Sequence, residues 1–119
     1  MNDMSWVEKI GGKGPSRRKL LTEWSKAVRG RDGCCVVCHR TEFLQAHHLI
    51  PKERFKQWMY EVDNGVTLCA RCHKFGNYSA HRHPIWFAEW LKENKPDLYS
   101  LTTERIKRDN DRIADNQAG

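Results

Sequence analysis

The chain has 119 residues, of which 39% are apolar, so it suits one small domain and is too short for two of ordinary size. Lysine and arginine number 21 against 15 aspartate and glutamate residues, and this net charge of +6 favours an anionic partner, most simply a nucleic acid. No segment approaches the run of about 18 apolar residues that a membrane helix needs, and the first residues lack the apolar region of a secretory signal. We therefore expect a cytoplasmic protein with no membrane partner, whose reduced cysteines bind metal more often than they form disulfides.

The N-terminal part of the chain predicts a tail and then a helix. Residues 1–15 end in the glycine-rich sequence GGKGP and are expected to be a flexible tail. Ser16 is suited to cap a helix that ends near Arg29, with Gly30 as its stop. Its apolar residues recur at helical spacing and should form one buried stripe. They are Leu20, Leu21, Trp24, Ala27 and Val28.

Two short strands and a long connection are predicted next. The sequence FLQAHHLIP, which ends at Pro51, predicts the first strand, and residues 52–63 a long loop or a short helix. Asn64-Gly65 is a turn signal, after which VTL predicts the second strand. Cys69 then begins a segment that can open a helix. This order of elements is ββα.

The C-terminal part predicts a further helix and a polar extension. Pro84 suits the first helical position, and Lys95-Pro96 ends the pattern. The predicted division is a domain over 16–95 and a partly helical extension over 96–119.

Several large apolar residues are expected to pack into the core rather than stack on nucleic-acid bases. They are Phe43, Phe55, Trp58, Ile85, Trp86, Trp90 and Leu91.

Four of the five cysteines form two matching pairs, Cys35-x-x-Cys38 and Cys69-x-x-Cys72. Two residues between thiolates let both sulfurs face one ion, and four thiolates close a tetrahedron with no open position. The pairs therefore predict a structural Zn²⁺ site, in preference to four ordinary buried cysteines or a redox pair. Cys34 is an alternative to Cys35, although the spacing favours Cys35.

Five of the six histidines fall between residues 39 and 81, in the segment that the cysteines organise. In an extended chain the adjacent His47 and His48 point to opposite sides, so they cannot easily bind one ion together. A division of roles follows, in which one imidazole holds a metal and the other stays free as a general base.

Three signatures occur in order along the chain: Cys35-x-x-Cys38, Ala46-His47-His48-Leu49-Ile50-Pro51 and Asp63-Asn64-Gly65-Val66-Thr67-Leu68-Cys69-x-x-Cys72-His73. Together they resemble the HNH endonucleases of the cysteine-clipped, often phage-encoded kind. The resemblance covers about residues 20–95. It implies a small α+β protein with a ββα-metal (His-Me finger) core and flanking helices, which hydrolyses DNA phosphodiester bonds with the help of a divalent metal.

The resemblance also assigns roles by position. His48 matches the general base that activates water, and Asn64 matches the residue that ties down the loop and orients that base. His47 and His73 match ligands of the divalent ion, for which Mg²⁺, Mn²⁺, Ni²⁺, Co²⁺ and Zn²⁺ are candidates. His81 is the preferred third ligand because imidazole suits transition metals. Asn77 and His83 are the alternatives.

Basic residues around the motif are candidates for DNA binding, namely Lys52, Arg54, Lys74 and Arg82. A phosphate contact of this kind would be sensitive to salt and largely indifferent to sequence. The main alternative function is a zinc-ribbon module that binds nucleic acid without catalysis, and a thiol redox protein is a third. For a phage enzyme the resemblance allows genome packaging beside a terminase, a mobile element or restriction, with either nicking or double-strand cutting.

Overall fold

The computed structural model describes residues 14–53 and 55–118, so most of the expected tail over 1–15 lies outside the described residues. The elements in chain order are helix α1 (Arg17–Asp32), strand β1 (Leu44–His48), 3₁₀ turns at Lys56–Trp58 and Val62–Asn64, strand β2 (Gly65–Cys69), a π-helical turn (Arg71–Phe75), helix α2 (Pro84–Asn94) and helix α3 (Pro96–Ala118). The fold is therefore a small α+β arrangement with the predicted order of strands. No helix in the described part of the chain is long and apolar enough to cross a membrane.

Helix α1 begins where the sequence predicts and ends later. The Ser16 hydroxyl oxygen accepts the Lys19 N–H at 3.2 Å, which satisfies a free donor of the first turn. The predicted stop at Gly30 is wrong, because it is Gly33 that enters the left-handed region (φ 73°) and donates its N–H to the Arg29 carbonyl. Trp24 and Val28 are the buried residues of the helix.

The two strands form an antiparallel sheet whose register places Leu44 opposite Cys69 and His48 opposite Gly65. Every residue of β2 is buried. At Gly65 a Cβ atom would lie 2.5 Å from the Trp24 ring and 2.9 Å from the Val28 side chain, so only glycine lets α1 approach the sheet this closely. The packing of α1 against the sheet thus fixes the position of the end of β1, where the paired histidines lie.

Helices α2 and α3 follow the sheet in the chain and pack against each other. Helix α2 begins at Pro84 as predicted, with the His83 Nδ1 accepting the Trp86 N–H at 3.2 Å. Phe87 and Leu91 supply its buried side chains. Helix α3 runs through the whole segment from Pro96 to Ala118, where the sequence predicts helix over only a part.

The expected packing of the aromatic and apolar residues is correct for some and wrong for others. Phe55 is buried, and Trp58, Trp86 and Trp90 are half-buried. Phe43 and Ile85 are exposed instead, at 73% and 76% of their surface. Phe43 occupies the turn that starts β1, with φ of 57°, and Ile85 lies on the solvent side of the first turn of α2.

Candidate metal centres and active site

The four paired cysteines lie together between the start of the sheet and the π-helical turn. Their sulfur atoms are all within 4.8 Å of one another, and Cys38 Sγ is 3.6 Å from Cys69 Sγ. Ligands of a tetrahedral ion with metal–sulfur bonds of about 2.3 Å lie about 3.8 Å apart, so the cluster fits a metal. Cys34 is outside this cluster, with its sulfur 4.0 Å from His39 Nδ1.

Backbone N–H groups shape the first cysteine turn and stabilise its thiolate. His39, at φ 65°, donates its N–H to the Cys35 carbonyl at 2.8 Å and so closes the turn. Burial alone would raise the pKa of Cys35, but hydrogen bonds from the backbone of Cys38, Cys69 and Val37 outweigh it and lower the pKa to about 7. A thiol that ionises near neutral pH is ready to bind a metal ion.

Three of the predicted histidines form a second cluster. His47 comes from β1, His73 from the π-helical turn and His81 from the connection before α2, and a nitrogen atom of each lies within 4.8 Å of the others. His73 Nε2 and His81 Nε2 are 3.0 Å apart. Neighbouring ligands at about 2.1 Å from an octahedral ion have about this separation, so the nitrogen set also fits a metal.

The environment keeps two of these imidazoles neutral. Burial, together with the nearby His73 and His81, lowers the pKa of His47 to about 3. Burial, with His81 and Lys74 beside it, lowers the pKa of His73 to about 4. At neutral pH both rings therefore carry a free lone pair, which is the form that binds metal.

Gln45 orients His73, and the sequence analysis missed it. The carbonyl oxygen Oε1 of Gln45 can only accept, so His73 Nδ1 carries the proton of their 2.6 Å hydrogen bond and Nε2 is left free to face His81. Metal-binding histidines usually have such a partner on the second ring nitrogen. Gln45 lies two residues before His47, on the same face of β1, and this alternation is the signal that could have found it.

His48 lies on the opposite face of β1, against α1. Its Nε2 donates to the Met59 carbonyl at 2.9 Å, because a carbonyl can only accept, and Nδ1 keeps its lone pair. Trp24 stacks on the ring with centroids 3.7 Å apart and planes 8° apart. Burial lowers the pKa of His48, the Met59 hydrogen bond partly offsets this, and Lys52 lowers the pKa further. The ring is thus neutral at pH 7 and able to accept a proton.

Asn64 is buried at the end of the connection between the strands and binds two earlier residues of that connection, Ile50 and Trp58. Its Oδ1 accepts the Ile50 N–H at 2.8 Å, and its Nδ2 donates to the Ile50 carbonyl at 3.2 Å and the Trp58 carbonyl at 3.1 Å. Trp58 immediately precedes Met59, whose carbonyl receives the His48 hydrogen bond. Asn64 therefore braces the backbone that orients His48.

A cleft of about 400 Å³ lies at the C-terminal end of β1 and is lined by residues from both faces of that strand. It is lined by Ala46, His47, His48, Pro51, Lys52, Glu53, His73, Lys74 and His81. Glu53 forms an ion pair with Arg17 of α1. The cleft thus brings the three-histidine cluster, His48 and two lysines to one surface.

Of the other candidates that the structure describes, Arg82, His83 and Asn77 are not part of this cleft lining. Arg82 is exposed, and its guanidinium donates to the Phe75 carbonyl at 3.2 Å. Arg54 lies outside the described residues. His83 caps α2 and Asn77 is exposed, whereas a ring nitrogen of His81 lies with those of His47 and His73.

One comparison with known proteins gave a match. Residues 35–75 match the family model described as HNH endonuclease. The match contains both cysteine pairs, β1 with its two histidines, Asn64 and His73, whereas α1, His81, α2 and α3 lie outside it. Comparison with curated proteins and with solved structures gave no match. Residues 35–75 of this chain are therefore similar to the HNH endonuclease family, which is a family of nucleases.

Proposed function

We propose that this protein is an endonuclease that hydrolyses DNA phosphodiester bonds with the help of a divalent metal, and that His48 is its general base. One observation carries the proposal: His48 and the cluster of His47, His73 and His81 lie on opposite faces of one strand end and open into the same cleft. Phosphodiester hydrolysis needs a base for the attacking water and positive charge at the phosphate, and the cleft offers a group for each.

The contacts of His48 fix its tautomer and the plane of its ring. The Met59 carbonyl holds the proton on Nε2, so Nδ1 is the atom that takes a proton from the attacking water. The Trp24 ring keeps the imidazole in one plane. Because the pKa of His48 is lowered, the imidazole is neutral at pH 7, which is the form that can take a proton from water.

His47, His73 and His81 would hold the divalent ion. When bound, such an ion stabilises negative charge on the phosphate and on the leaving oxygen. Three imidazole nitrogens favour Mn²⁺, Co²⁺, Ni²⁺ or Zn²⁺ over Mg²⁺, which prefers oxygen ligands. The four cysteines would hold a separate structural Zn²⁺, which leaves no position for substrate.

DNA as the substrate is supported by charge. Lys52 and Lys74 line the cleft, and the chain as a whole carries a net charge of +6. Two lysines beside the histidines can bind the phosphates that flank the cleaved bond. A module that only binds nucleic acid would have no use for a stacked, neutral imidazole beside a three-histidine cluster, so we favour catalysis. The family resemblance alone allows a phage origin, a terminase partner, and either nicking or double-strand cutting.

A plasmid assay tests this function. We expect zinc-loaded protein with Mn²⁺, Co²⁺, Ni²⁺ or Mg²⁺ to convert supercoiled plasmid to open-circular or linear DNA. Replacing the base, His48→Ala, should slow cleavage about 100-fold or more while the fold, the zinc content and DNA binding are retained. The control is His83→Asn, which removes another nearby imidazole but keeps a good cap for α2. Absence of cleavage with every ion, or a His48→Ala rate equal to wild type, would overturn the proposal.

A further inference from the structure

Helix α3 is attached to the segment that holds His48 through a buried carboxylate. Asp109 is only 2% exposed. Its Oδ2 accepts the Trp58 Nε1–H at 2.6 Å, and its Oδ1 accepts the Gln57 side-chain N–H at 2.9 Å. A carboxylate this far from water needs such donors, and these two come from the 3₁₀ turn Lys56–Trp58, while Arg112 of α3 adds an ion pair to Oδ1 at 3.5 Å. The turn is therefore fixed by a helix that lies some fifty residues later in the chain.

A second residue of α3 holds the same indole from its face. The guanidinium carbon of Arg105 lies 4.4 Å from the centre of the Trp58 ring, which is cation–π distance. Arg105 also forms an ion pair with Asp63 at 2.8 Å. Arg105 and Asp109 are four residues apart and so lie on one face of α3. Asp109 thus holds the edge of the Trp58 ring, and Arg105 holds its face.

Trp58 is connected to His48 through two consecutive carbonyl groups. The Trp58 carbonyl accepts a hydrogen bond from Asn64, and the carbonyl of the next residue, Met59, accepts the Nε2–H of His48. Displacement of the Trp58 side chain would rotate the 58–59 backbone and so move the carbonyl that fixes the His48 tautomer. Helix α3 lies outside the segment that matches the HNH family model, so this support is supplied by the rest of the chain.

We propose that Asp109, assisted by Arg105, is a positioning residue that holds His48 in its reactive tautomer through Trp58 and Met59. The inference rests on the proposed function, which makes His48 the general base. Asp109 touches neither the cleft nor the three-histidine cluster, so its effect should fall on the rate of the chemical step and not on binding of DNA.

The kinetic test is Asp109→Asn, which keeps the size of the side chain but replaces one accepting oxygen with a donor. We expect kcat to fall about 10-fold with unchanged KM for DNA and unchanged zinc content, because a base that is out of position transfers the proton less efficiently. Asp111→Asn makes the same change on the exposed side of α3 and should keep the wild-type kcat. In a His48→Ala background, Asp109→Asn should slow the residual cleavage no further.

A second measurement does not depend on activity. In ¹⁵N NMR spectra of the imidazoles, His48 should be the Nε2–H tautomer in wild type and Asp111→Asn, and a mixture of tautomers in Asp109→Asn. If Asp109→Asn does not fold, Trp58→Phe removes the same hydrogen bond while leaving a ring beneath Arg105, and should give the same mixture.

The outcomes separate this inference from the proposed function. An unchanged tautomer and an unchanged kcat in both variants would overturn the role of Asp109. A fall in rate that is equally large in the His48→Ala background would also overturn it, because the effect would then be a general loss of structure. A wild-type protein that cuts no DNA would remove the proposed function, and the NMR comparison would still decide whether α3 orients His48.

Discussion

Trp24 lies flat against His48, so the residue that packs α1 onto the sheet also fixes the plane of the candidate base. Its indole Nε1–H donates to the Glu61 carbonyl at 2.7 Å, which ties the same ring to the connection between the strands. The packing of the core and the orientation of His48 are therefore properties of one side chain. Substitutions at Trp24 can separate them.

We expect Trp24→Phe to keep an aromatic ring against His48 but to lose the hydrogen bond to Glu61 and part of the buried volume of the indole, at a cost of about 1–3 kcal/mol in the free energy of unfolding. Trp24→Leu loses the aromatic face as well, so it should also lower kcat about 10-fold with little change in KM. Denaturant unfolding and single-turnover cleavage measure the two effects. Equal cleavage rates for the phenylalanine and leucine variants would show that stacking does not orient His48.

Two glycines should respond in opposite ways to the same substitution. At Gly65 a Cβ atom would clash with Trp24 and Val28, so Gly65→Ala should destabilise the fold by about 1–3 kcal/mol. At Gly30, inside α1, no atom lies within 4 Å of the new Cβ, so Gly30→Ala should stabilise it by about 0.5–1 kcal/mol. Thermal and denaturant unfolding of the pair provide the comparison. Stabilisation by both substitutions would contradict the close approach of α1 to β2.

Much of the fold could be predicted because its signals are local. The Ser16 cap, the alternation around His47 and Pro84 at the start of α2 each depend on neighbouring residues, and the order of elements is confirmed. The end of α1 could not be predicted in this way, because Gly30 and Gly33 carry the same local signal. The hydrogen bond from the Thr67 N–H to Asp32 at 2.8 Å, a contact far along the chain, holds the end of the helix beyond Gly30.

The parts of the site that sequence reasoning missed are polar groups that act through other residues. Gln45 and Asp109 have no motif of their own, and their importance depends on the partners that the fold brings to them. The full length of α3 was underestimated for the same reason. Its inner face is built partly from Thr102, Arg105 and Asp109, which are buried with polar partners and weaken the apolar pattern on which the helix prediction relied.

The partner of His73 should control metal binding at the histidines. Gln45→Leu removes the acceptor that keeps the proton on Nδ1, so we expect the affinity for Mn²⁺ or Ni²⁺ to fall about 10- to 100-fold. Gln45→Glu keeps an acceptor at the same place and should bind at least as tightly as wild type. Calorimetric titration of zinc-loaded protein measures both, with the zinc content of the cysteine cluster as an internal control. Identical affinities for the leucine and wild-type proteins would exclude this role.

The two candidate metal centres should be separable. A mild chelator is expected to remove the ion from the three histidines, one of which is exposed, and to abolish cleavage while the circular dichroism spectrum is unchanged. The structural ion should be lost only on stronger treatment, together with the fold, and Cys69→Ser should have the same effect. Cys34→Ser, outside the cluster, is the control and should behave as wild type. Loss of activity and of structure in a single step would argue against two independent centres.

Asp32 should make the stability of the fold depend on acidic pH. Burial alone would raise its pKa, but hydrogen bonds from Arg31 and Thr67 outweigh burial, and the folded-state pKa is lowered. A lowered pKa means that the stabilisation is complete above the unfolded value of about 3.9 and is lost as the pH falls through the folded value. We therefore expect Asp32→Asn to be less stable than wild type at pH 7, and the difference to shrink as the pH drops below about 4. Denaturant unfolding at a series of pH values measures this difference. The control is Asp111→Asn at an exposed position, which should have the same free energy of unfolding as wild type. If the difference in free energy of unfolding between wild type and Asp32→Asn grew larger in acid, the carboxylate of Asp32 would not stabilise the junction of α1 and β2.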